Sequence, residues 1–242
     1  MIETGSLIRT LSGRRAARNF HNFVINEIGT AIVSGRFPIG SVLASDTVMM
    51  EQYGVSRTVL REALKTLEAK GLVEARPKVG TRVSPRNRWN FFDPQLLAWH
   101  FEAPPDPAFY ESLFRVRALM EPPLVEQAAL SRTAEHVRLL KYWCHQMGNA
   151  GDSLEQFGLA CLEVHMVIAD AGQDMLLRSV LGVEELTLAL ALTRDASLEG
   201  AEYRRRSAEL YNQLTSALEG GYPEKSVALM EACRGLDRGQ IF

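Results

Sequence analysis

A basic stripe and an apolar stripe share one short segment, VSRTVLREALKTLEAKGLV. Arg57, Arg61 and Lys65 recur every four residues, so a helix places them on one face. The apolar stripe has similar spacing and consists of Leu60, Leu64 and Leu67. We expect the apolar face to pack on a small core and the basic face to offer cations to an anionic partner. The alternative for the arginines is a surface ion pair with Glu62 or Glu68.

The net charge of −2 hides an asymmetry along the chain. Residues 1–90 contain 14 Lys and Arg against 7 Asp and Glu, whereas residues 91–242 contain 13 against 22. A basic first third joined to an acidic remainder is typical of a chain with one nucleic-acid-binding domain. Ordinary solvated surface charge is the alternative interpretation.

Three helices and a hairpin are predicted around the basic stripe. Residues 20–35 have helical apolar spacing. Asp46 is a candidate cap for a second helix that ends at Gly54, and Ser56 is a candidate cap for the third helix. The segment LVEARPKVGTRVS contains two short β-like runs around a Pro-Lys-Val-Gly tip. This order of elements predicts a winged helix-turn-helix, with a small β wing, over residues 20–85.

The segments on either side of this domain have a different composition. Residues 1–19 are predicted to be a flexible basic arm, because they contain few large apolar residues to anchor them. The arginines of the arm are Arg9, Arg14, Arg15 and Arg18. Residues 86–107 are predicted to be an interdomain linker that packs, with aromatics that hold the domains together or cover a partner chain. Those aromatics are Trp89, Phe91, Phe92 and Trp99.

After Pro107 every long segment has helical periodicity. About six helices are predicted, over residues 108–131, 134–149, 153–171, 173–194, 199–219 and 223–238. The breaks between them are short and contain Gly, Pro, Asp or Ser. The predicted fold class is therefore mostly α: the winged domain is followed by an all-α antiparallel bundle over residues 108–242.

Several classes of protein are disfavoured by the composition. The most apolar run, LTLALALT, is far shorter than a membrane span, and the first residues lack a basic-then-apolar leader, so we expect a cytoplasmic protein without a membrane partner. Three scattered cysteines predict free thiols rather than a disulfide framework. No Gly-x-Ser-x-Gly elbow, P-loop or HExxH motif is present, so we predict that the chain is not an enzyme.

The chain resembles the GntR family of bacterial transcription regulators, in the FadR-like branch with an FCD effector domain. The resemblance rests on IVSGRFPIGSVL, VSRTVLREALKTLEAKGLV and VGTRV in the first domain and on FRVRALMEPPLVEQAA and ALMEAC in the second. The linker SPRNRWNFFDPQLLAW is similar to that of galactonate-responsive repressors. The resemblance implies a homodimer that binds double-stranded operator DNA and responds to a small molecule.

The resemblance also implies which residues contact DNA. The third helix enters the major groove by its N-terminal end, so Arg57 and Arg61 are placed to bind guanine edges. Ser56 and Thr58 are placed for phosphate or base contacts. The implied wing contacts are Lys78, Gly80, Thr81 and Arg82. At one point the chain departs from the family, which commonly has Leu-Pro-Ser-Glu-Arg where this sequence reads LASDT, and Thr47 cannot replace the arginine.

A divalent metal in the bundle is a further implication of the resemblance. The family uses an Asp and a His four residues apart, and two later histidines. At those four positions this chain has Cys161, His165, Tyr211 and Cys233. Cys161, His165 and Cys233 are a candidate zinc site, and zinc sensing through them is the alternative function. Alternatively, the metal site is lost and the cysteines pack as small apolar residues, or the two cysteines form a redox pair.

Arg117 is the residue that the resemblance assigns to an anionic effector. A guanidinium binds a carboxylate by two parallel hydrogen bonds, so the expected effector is a sugar acid or another small organic acid. His165 and Tyr211 are predicted to line the same site. The alternative for Arg117 is an i,i+4 ion pair with Glu121. A fatty acyl-CoA sensor, which the FadR-like branch also includes, has no support from any residue of this chain.

Overall fold

Two compact units make up the chain in a computed structural model. The structure describes residues 7–12, 20–179, 181–193 and 198–242. Residues 20–105 form one unit, called the winged unit, and residues 7–12 with 106–242 form the other, called the helical unit. The predicted fold class is confirmed, since helices dominate both units and the winged unit has a small two-stranded sheet.

Three helices begin the winged unit: α1 (Phe20–Val33), α2 (Asp46–Tyr53) and α3 (Arg57–Ala69). Ser56 caps α3 as predicted, because its Oγ accepts a hydrogen bond from the Val59 N–H at 3.4 Å. The cap of α2 is Ser45, whose Oγ lies 3.5 Å from the Val48 nitrogen. The prediction of Asp46 was therefore wrong by one residue. Asp46 lies in the first turn of α2, where its charge complements the free amides.

The apolar face of α3 packs into the core of the winged unit. Leu60, Ala63 and Leu67 are fully buried, whereas Leu64 is only partly buried. The buried α1 residues in the same core are Val24, Ile25, Ile28, Ile32 and Val33. The predicted two-sided helix is therefore present, with the small side chain of Ala63 at the centre of the buried face.

The wing is an antiparallel hairpin, as predicted, formed by β1 (Val73–Arg76) and β2 (Gly80–Val83). The register pairs Val73 with Val83 at the base of the hairpin. At the tip Lys78 has a φ of 64°. Val42, in the loop before α2, forms an additional bridge with Arg82, so this loop supports the second edge of β2.

Residues 86–105 complete the core of the winged unit. They contain a 3₁₀ turn (Arg86–Arg88) and α4 (Pro94–Glu102). Trp89 and Trp99 are buried in the same core as α1 and α3. Trp99 Nε1 donates to Asn26 Oδ1 of α1 at 3.1 Å, and a Cβ added at Gly29 would lie 2.6 Å from the indole ring. The two tryptophans thus stabilise this unit internally, whereas Phe92 is half exposed.

The described part of the helical unit contains seven α-helices: α5 (Pro107–Ser131), α6 (Ala134–Gly148), α7 (Leu154–Gly172), α8 (Met175–Arg178), α9 (Gly182–Thr193), α10 (Leu198–Gly220) and α11 (Pro223–Ile241). Helix α5 packs on α7, α9 and α11, and α6 packs on α7 and α10. The helix predicted over residues 173–194 is divided into α8 and α9. Ser179 Oγ donates to the Leu176 carbonyl at 2.6 Å, and such local side-chain bonds compete with helix continuation.

Residues 7–12 contradict the predicted flexible arm. They form a 3₁₀ helix (Ile8–Ser12), and both Leu7 and Ile8 are buried. The Ile8 N–H donates to Glu185 Oε1 at 3.1 Å, and a Cβ at Gly158 would lie 2.9 Å from the Ile8 side chain. Two apolar side chains are thus enough to dock this segment. The other arginines of the predicted arm, Arg14, Arg15 and Arg18, lie outside the described residues. None of the helices in the described ranges is long and apolar enough to cross a membrane.

Candidate functional site

Arg57 and Arg61 lie exposed on the outer face of α3, one helical turn apart. Among the described residues neither arginine makes an ion pair or a hydrogen bond. The nearest carboxylate in sequence, Glu62, instead pairs with Lys65 at 2.9 Å, and Glu68 accepts a hydrogen bond from the backbone of β1. The alternative interpretation of Arg57 and Arg61 as surface ion-pair partners is therefore not supported.

Ser56 and Thr58 lie exposed at the same end of α3. Ser56 Oγ accepts the capping hydrogen bond from Val59, and its hydroxyl hydrogen remains available to donate. The first turn of α3 thus combines two guanidinium groups, two hydroxyls and the positive end of the helix dipole. These groups all favour an anion at this end of α3.

The wing presents a second group of predicted contacts. Lys78 and Gly80 are exposed and Thr81 is half-buried. Arg82 is half-buried, and its Nε donates to the Gly40 carbonyl at 2.5 Å, so it has a structural contact in addition to the predicted phosphate contact, which stays a prediction. This bond fixes the loop before α2 to the wing. The sequence alone does not show that this loop lies beside β2, and for this reason the structural role of Arg82 was missed.

A buried arginine in the helical unit is surrounded by three carboxylates. Arg117 of α5 is 1% exposed. Its Nε lies 2.6 Å from Glu121 Oε1 and 2.7 Å from Glu184 Oε2. Its Nη1 donates to Asp237 Oδ2 at 2.7 Å and to Thr187 Oγ1 at 3.0 Å. The prediction that Arg117 is open to an anionic effector does not hold for this conformation, because the chain's own carboxylates occupy the guanidinium.

Further polar contacts extend this cluster. Arg234 Nη1 donates to Glu121 Oε2 at 2.5 Å, and Tyr203 Oη donates to Asp237 Oδ1 at 2.8 Å. Burial raises the pKa of Glu121 and that of Glu184, while the neighbouring Arg117 lowers both.

His165 of α7 lies beside this cluster and is held by Tyr211. The His165 Nε2 and Tyr211 Oη atoms are 2.8 Å apart, and both side chains are buried. Burial, reinforced by the positive charge of Arg117, lowers the pKa of His165 to about 4. The imidazole is therefore neutral near pH 7, which is the form that binds metals. Its Nδ1 lies 3.9 Å from Glu184 Oε2.

The predicted zinc ligands are not brought together. Cys161 and Cys233 are buried, but the group of potential ligand atoms that forms around His165 does not include them. Burial raises the pKa of both thiols, so they are neutral in this structure. Their contribution in this structure is apolar packing, which was the alternative prediction.

A different set of potential ligands surrounds His165. One ligand atom each from Glu121, His165 and Glu184 lie within 4.8 Å of one another. Within the described part of the chain, neither Glu184 Oε2 nor Arg117 Nη2 has a hydrogen-bond partner. The short contact between Arg117 Nε and Glu184 Oε2 is therefore an ion pair without hydrogen-bond geometry. Buried nitrogen and carboxylate donors of this kind suit a divalent ion such as zinc or manganese.

A small cavity of about 10 Å³ adjoins this group. Its walls combine Glu121, His165 and Glu184 with apolar side chains. The apolar lining consists of Met120, Leu124, Val125, Ile168, Leu177, Leu181 and Met230. The cavity has room for about one water molecule or one ion, and it does not accommodate a six-carbon acid as it stands.

Sequence reasoning missed Glu184 and Asp237 as members of the site. Glu184 had a signal, because it is a charged residue next to the apolar run LTLALALT of α9, and a buried charge requires a partner. Asp237 had none, since it lies in a polar stretch of α11. Both acids meet Arg117 only through the tertiary packing of α9 and α11 on α5.

Two family profiles match the sequence. Residues 20–83 match "Bacterial regulatory proteins, gntR family", and residues 112–234 match "FCD domain". The first match covers α1 to α3 and the wing. The second covers most of the helical unit, including Arg117, Glu121, His165 and Glu184.

Several curated proteins are similar to the chain. The galactonate operon transcriptional repressor of Escherichia coli is 27% identical over 176 residues, which are 73% of this chain and 74% of that protein. The regulator YieP of E. coli is 38% identical over 120 residues, about half of each chain. The probable D-xylose utilization operon repressor of Paenarthrobacter nicotinovorans is 28% identical over 221 residues, or 89% of this chain and 84% of that repressor.

Two solved structures have a fold similar to that of this chain. Lar of Listeria monocytogenes aligns with a TM-score of 0.67 at 18% identity and covers 94% of this chain and 98% of its own. McbR/YncC of E. coli aligns with a TM-score of 0.52 at 19% identity and covers 93% and 98%. At these identities the similarity concerns the fold alone.

Proposed function

This chain belongs to the gntR family of bacterial regulatory proteins, in the branch with an FCD domain, and from that premise we propose that it binds operator DNA as a homodimer and releases it in response to a small ligand. The family consists of transcription regulators rather than enzymes. The observation that carries the proposal is the pair of exposed arginines on α3, which make no ion pair or hydrogen bond within the described residues. In this proposal the helical unit senses the ligand and the winged unit reads DNA.

The proposed DNA contacts lie at the start of α3 and on the wing. Arg57 and Arg61 bind guanine O6 and N7 in the major groove, while Ser56 and Thr58 contact the backbone or neighbouring bases. The wing contacts phosphate through Lys78, Gly80 and Thr81. Arg82 also stabilises the wing through its hydrogen bond to the Gly40 carbonyl. A dimer of such units reads two half-sites related by a two-fold axis, so the operator is palindromic.

The proposed effector is a sugar acid or another small carboxylic acid. Similar proteins that are named for galactonate and D-xylose operons support a sugar-derived ligand. The site is the cluster around Arg117, with His165 and Tyr211 as further contacts. Ligand binding then shifts a conformational equilibrium of the helical unit toward a state with low operator affinity.

Selection of binding sites from random DNA, followed by fluorescence anisotropy, tests this function. We expect one palindromic sequence to bind at least about 10³-fold more tightly than random DNA. A panel of sugar acids is then added, and one of them should dissociate the complex. Equal affinity for all sequences would overturn the proposed operator binding, and failure of every acid would overturn the effector class alone.

The second candidate function is metal sensing, and the buried group of Glu121, His165 and Glu184 favours it. In this case the metal itself is the signal, and operator affinity changes when the ion binds or leaves. Titration of metal-stripped protein with zinc in the anisotropy assay separates the two functions. Zinc alone should change operator affinity if the metal is the signal, and should leave it unchanged if an acid is required.

A further inference from the structure

Residues 7–12 dock on the helical unit although the winged unit follows them in the sequence. They contact α7 and α9. Ile8 is fully buried and Leu7 is nearly so, and the Ile8 N–H donates to Glu185 Oε1 of α9 at 3.1 Å. The chain therefore leaves the helical unit before α1, forms the winged unit and returns to the helical unit at residue 106.

This path joins the winged unit to the helical unit at both of its ends. At one end residue 105 of the winged unit is followed directly by residue 106 of the helical unit. At the other end only residues 13–19 lie between the docked segment and the start of α1. A unit that is joined at two ends has fewer accessible orientations than a unit joined at one end. Docking of residues 7–12 therefore restricts the winged unit, and undocking removes the restriction.

The docking contact is small enough to be reversible. Leu7 and Ile8 supply its fully buried apolar side chains, whereas docking orders the backbone of six residues. The free energy gained by burying two such side chains is of the same order as the cost of ordering six residues. The docked and undocked states are therefore close in free energy, and an interaction elsewhere can shift the balance between them.

DNA supplies such an interaction, because the start of the chain is basic. Residues 1–19 contain four arginines and one acidic residue, whereas residues 106–242 of the helical unit contain 13 Lys and Arg against 20 Asp and Glu. In the docked state Arg9 lies exposed next to the buried Ile8, on this acidic unit. DNA phosphates form a denser array of negative charge, so DNA attracts the basic segment away from its docking site.

We propose that residues 7–12 form a reversible strap: docked on α7 and α9 they oppose operator binding, and operator binding releases them. The inference rests on the proposed operator binding and adds a contact that regulates it. The docked strap restricts the winged unit and holds the basic start of the chain on the helical unit. Docking lowers operator affinity by the same factor by which the operator weakens docking.

Gly158→Ala tests the strap from the side of α7. The added Cβ would lie 2.9 Å from the Ile8 side chain and 2.8 Å from that of Leu192 in α9, and we expect it to exclude Ile8. Fluorescence anisotropy should then give an operator Kd at least about fivefold lower than that of the original chain. The matched control is Gly235→Ala in α11, where no atom lies within 4 Å of the added Cβ, and this variant should leave the Kd unchanged.

Ile8→Ser tests the same contact from the side of the strap. The polar side chain removes the buried anchor and leaves α7 and α9 as they are, so the operator Kd should fall as it does in Gly158→Ala. An operator Kd equal to that of the original chain in both variants would overturn the strap.

Hydrogen exchange of the full chain, followed by mass spectrometry, measures docking itself. The peptide with residues 7–12 should exchange slowly in the free protein, because the Ile8 amide is bonded to Glu185. With a saturating amount of the duplex selected from random DNA, its exchange should be at least about fivefold faster. Exchange that bound operator leaves unchanged would overturn the release. If the original chain binds no operator but exchange is faster in Ile8→Ser, docking stands and the proposed operator binding is the part that fails.

Discussion

At the scale of single residues, three basic side chains on α3 differ in what they already contact. Arg57 and Arg61 have no partner among the described residues, whereas Lys65 is paired with Glu62. An exposed pair of this kind contributes little to stability, but it reduces the charge that Lys65 offers to DNA. The bidentate geometry of arginine adds specificity that a lysine cannot supply.

The first prediction concerns these three residues. Arg57→Ala and Arg61→Ala should each weaken operator binding by about 1–3 kcal/mol per contact, roughly 5- to 150-fold, because a bidentate guanine contact is lost. Lys65→Ala is the control and should change the Kd less than about threefold. Fluorescence anisotropy at one salt concentration measures all three. A loss in Lys65→Ala as large as in the arginine variants would contradict the proposed orientation of α3.

The second prediction concerns the cysteines. All three are free and buried, and burial raises the pKa of Cys144, Cys161 and Cys233. Because the thiolate is the reactive form, the native protein should react slowly with Ellman's reagent at pH 8, and all three thiols should react in guanidinium. Fast reaction of a thiol in the native protein would show that the helical unit opens locally.

The sequence predicted the exposed basic face of α3 better than the buried cluster around Arg117, and the DNA contacts themselves stay a prediction. Spacing within one helix was sufficient to place Arg57 and Arg61 on one exposed face. The partners of Arg117 lie far from it in sequence, and Asp237 is 120 positions away. No local sequence pattern indicates a pairing over such a separation. Of the carboxylates that contact Arg117, the sequence therefore predicted Glu121, four residues away, and not the others. The cysteines were assigned by resemblance to metal ligands, but a position in a family pattern does not establish that the ligand atoms converge.

At the scale of elements, the join between α3 and the wing depends on a glycine. Gly71 has a φ of 80°, which a residue with a Cβ rarely adopts. A Cβ at this position would lie 1.9 Å from the Arg88 carbonyl oxygen. The 3₁₀ turn (Arg86–Arg88) therefore packs directly against the end of α3. A Cβ at Gly71 would fit only if the backbone at Arg88 moved away.

The third prediction compares this glycine with a second one. Gly54 has a φ of 64° and no atom within 4 Å of an added Cβ. Gly54→Ala should therefore cost only about 1 kcal/mol for the left-handed conformation. Gly71→Ala should cost roughly 3 kcal/mol or more, because the backbone of residues 86–89 must also move. Urea unfolding followed by tryptophan fluorescence compares them, and equal midpoints would contradict the close contact.

Elements with a strong signal in the local sequence were predicted correctly, whereas elements that depend on tertiary packing were not. Capping, apolar spacing and the glycine ends identified α3, and alternation around a turn identified the wing. Helix α4 was missed because its apolar residues fit the surface of α1 rather than a regular period. The single helix predicted over residues 173–194 is two helices, α8 and α9. At the end of α8 the Ser179 hydroxyl donates to the Leu176 carbonyl, and α9 begins at Gly182.

At the scale of the whole molecule, positive charge is concentrated in the first third of the chain. Residues 1–19 carry part of this charge, and the winged unit itself (residues 20–105) has 10 Lys and Arg against 8 Asp and Glu, a net charge of +2. Its expected attraction for DNA therefore depends on where its cations lie, as with Arg57 and Arg61, more than on its net charge. Binding should release counterions from the phosphates, and this makes affinity strongly dependent on salt.

The fourth prediction uses this dependence to count contacts. A plot of log K against log salt concentration should be linear, with a slope of about −0.9 per phosphate contact. Lys78→Ala removes one proposed contact per subunit, so the slope should become less negative by about 2 for a dimer on DNA and by about 1 for a monomer. An unchanged slope would show that the tip of the wing does not contact phosphate.

The docked segment of residues 7–12 has a consequence for how the protein is made. Ile8 is bonded to Glu185, which lies 177 positions later in the chain, and its side chain abuts Gly158 of α7. At about 5–20 residues per second, a ribosome needs roughly 10–35 s to synthesise the sequence between these partners. During that time Leu7 and Ile8 cannot dock where they do in the folded protein. The winged unit lies between residues 7–12 and α7 in the sequence, so its synthesis is complete before that of α7 and Glu185. We therefore expect the winged unit to fold before residues 7–12 can dock.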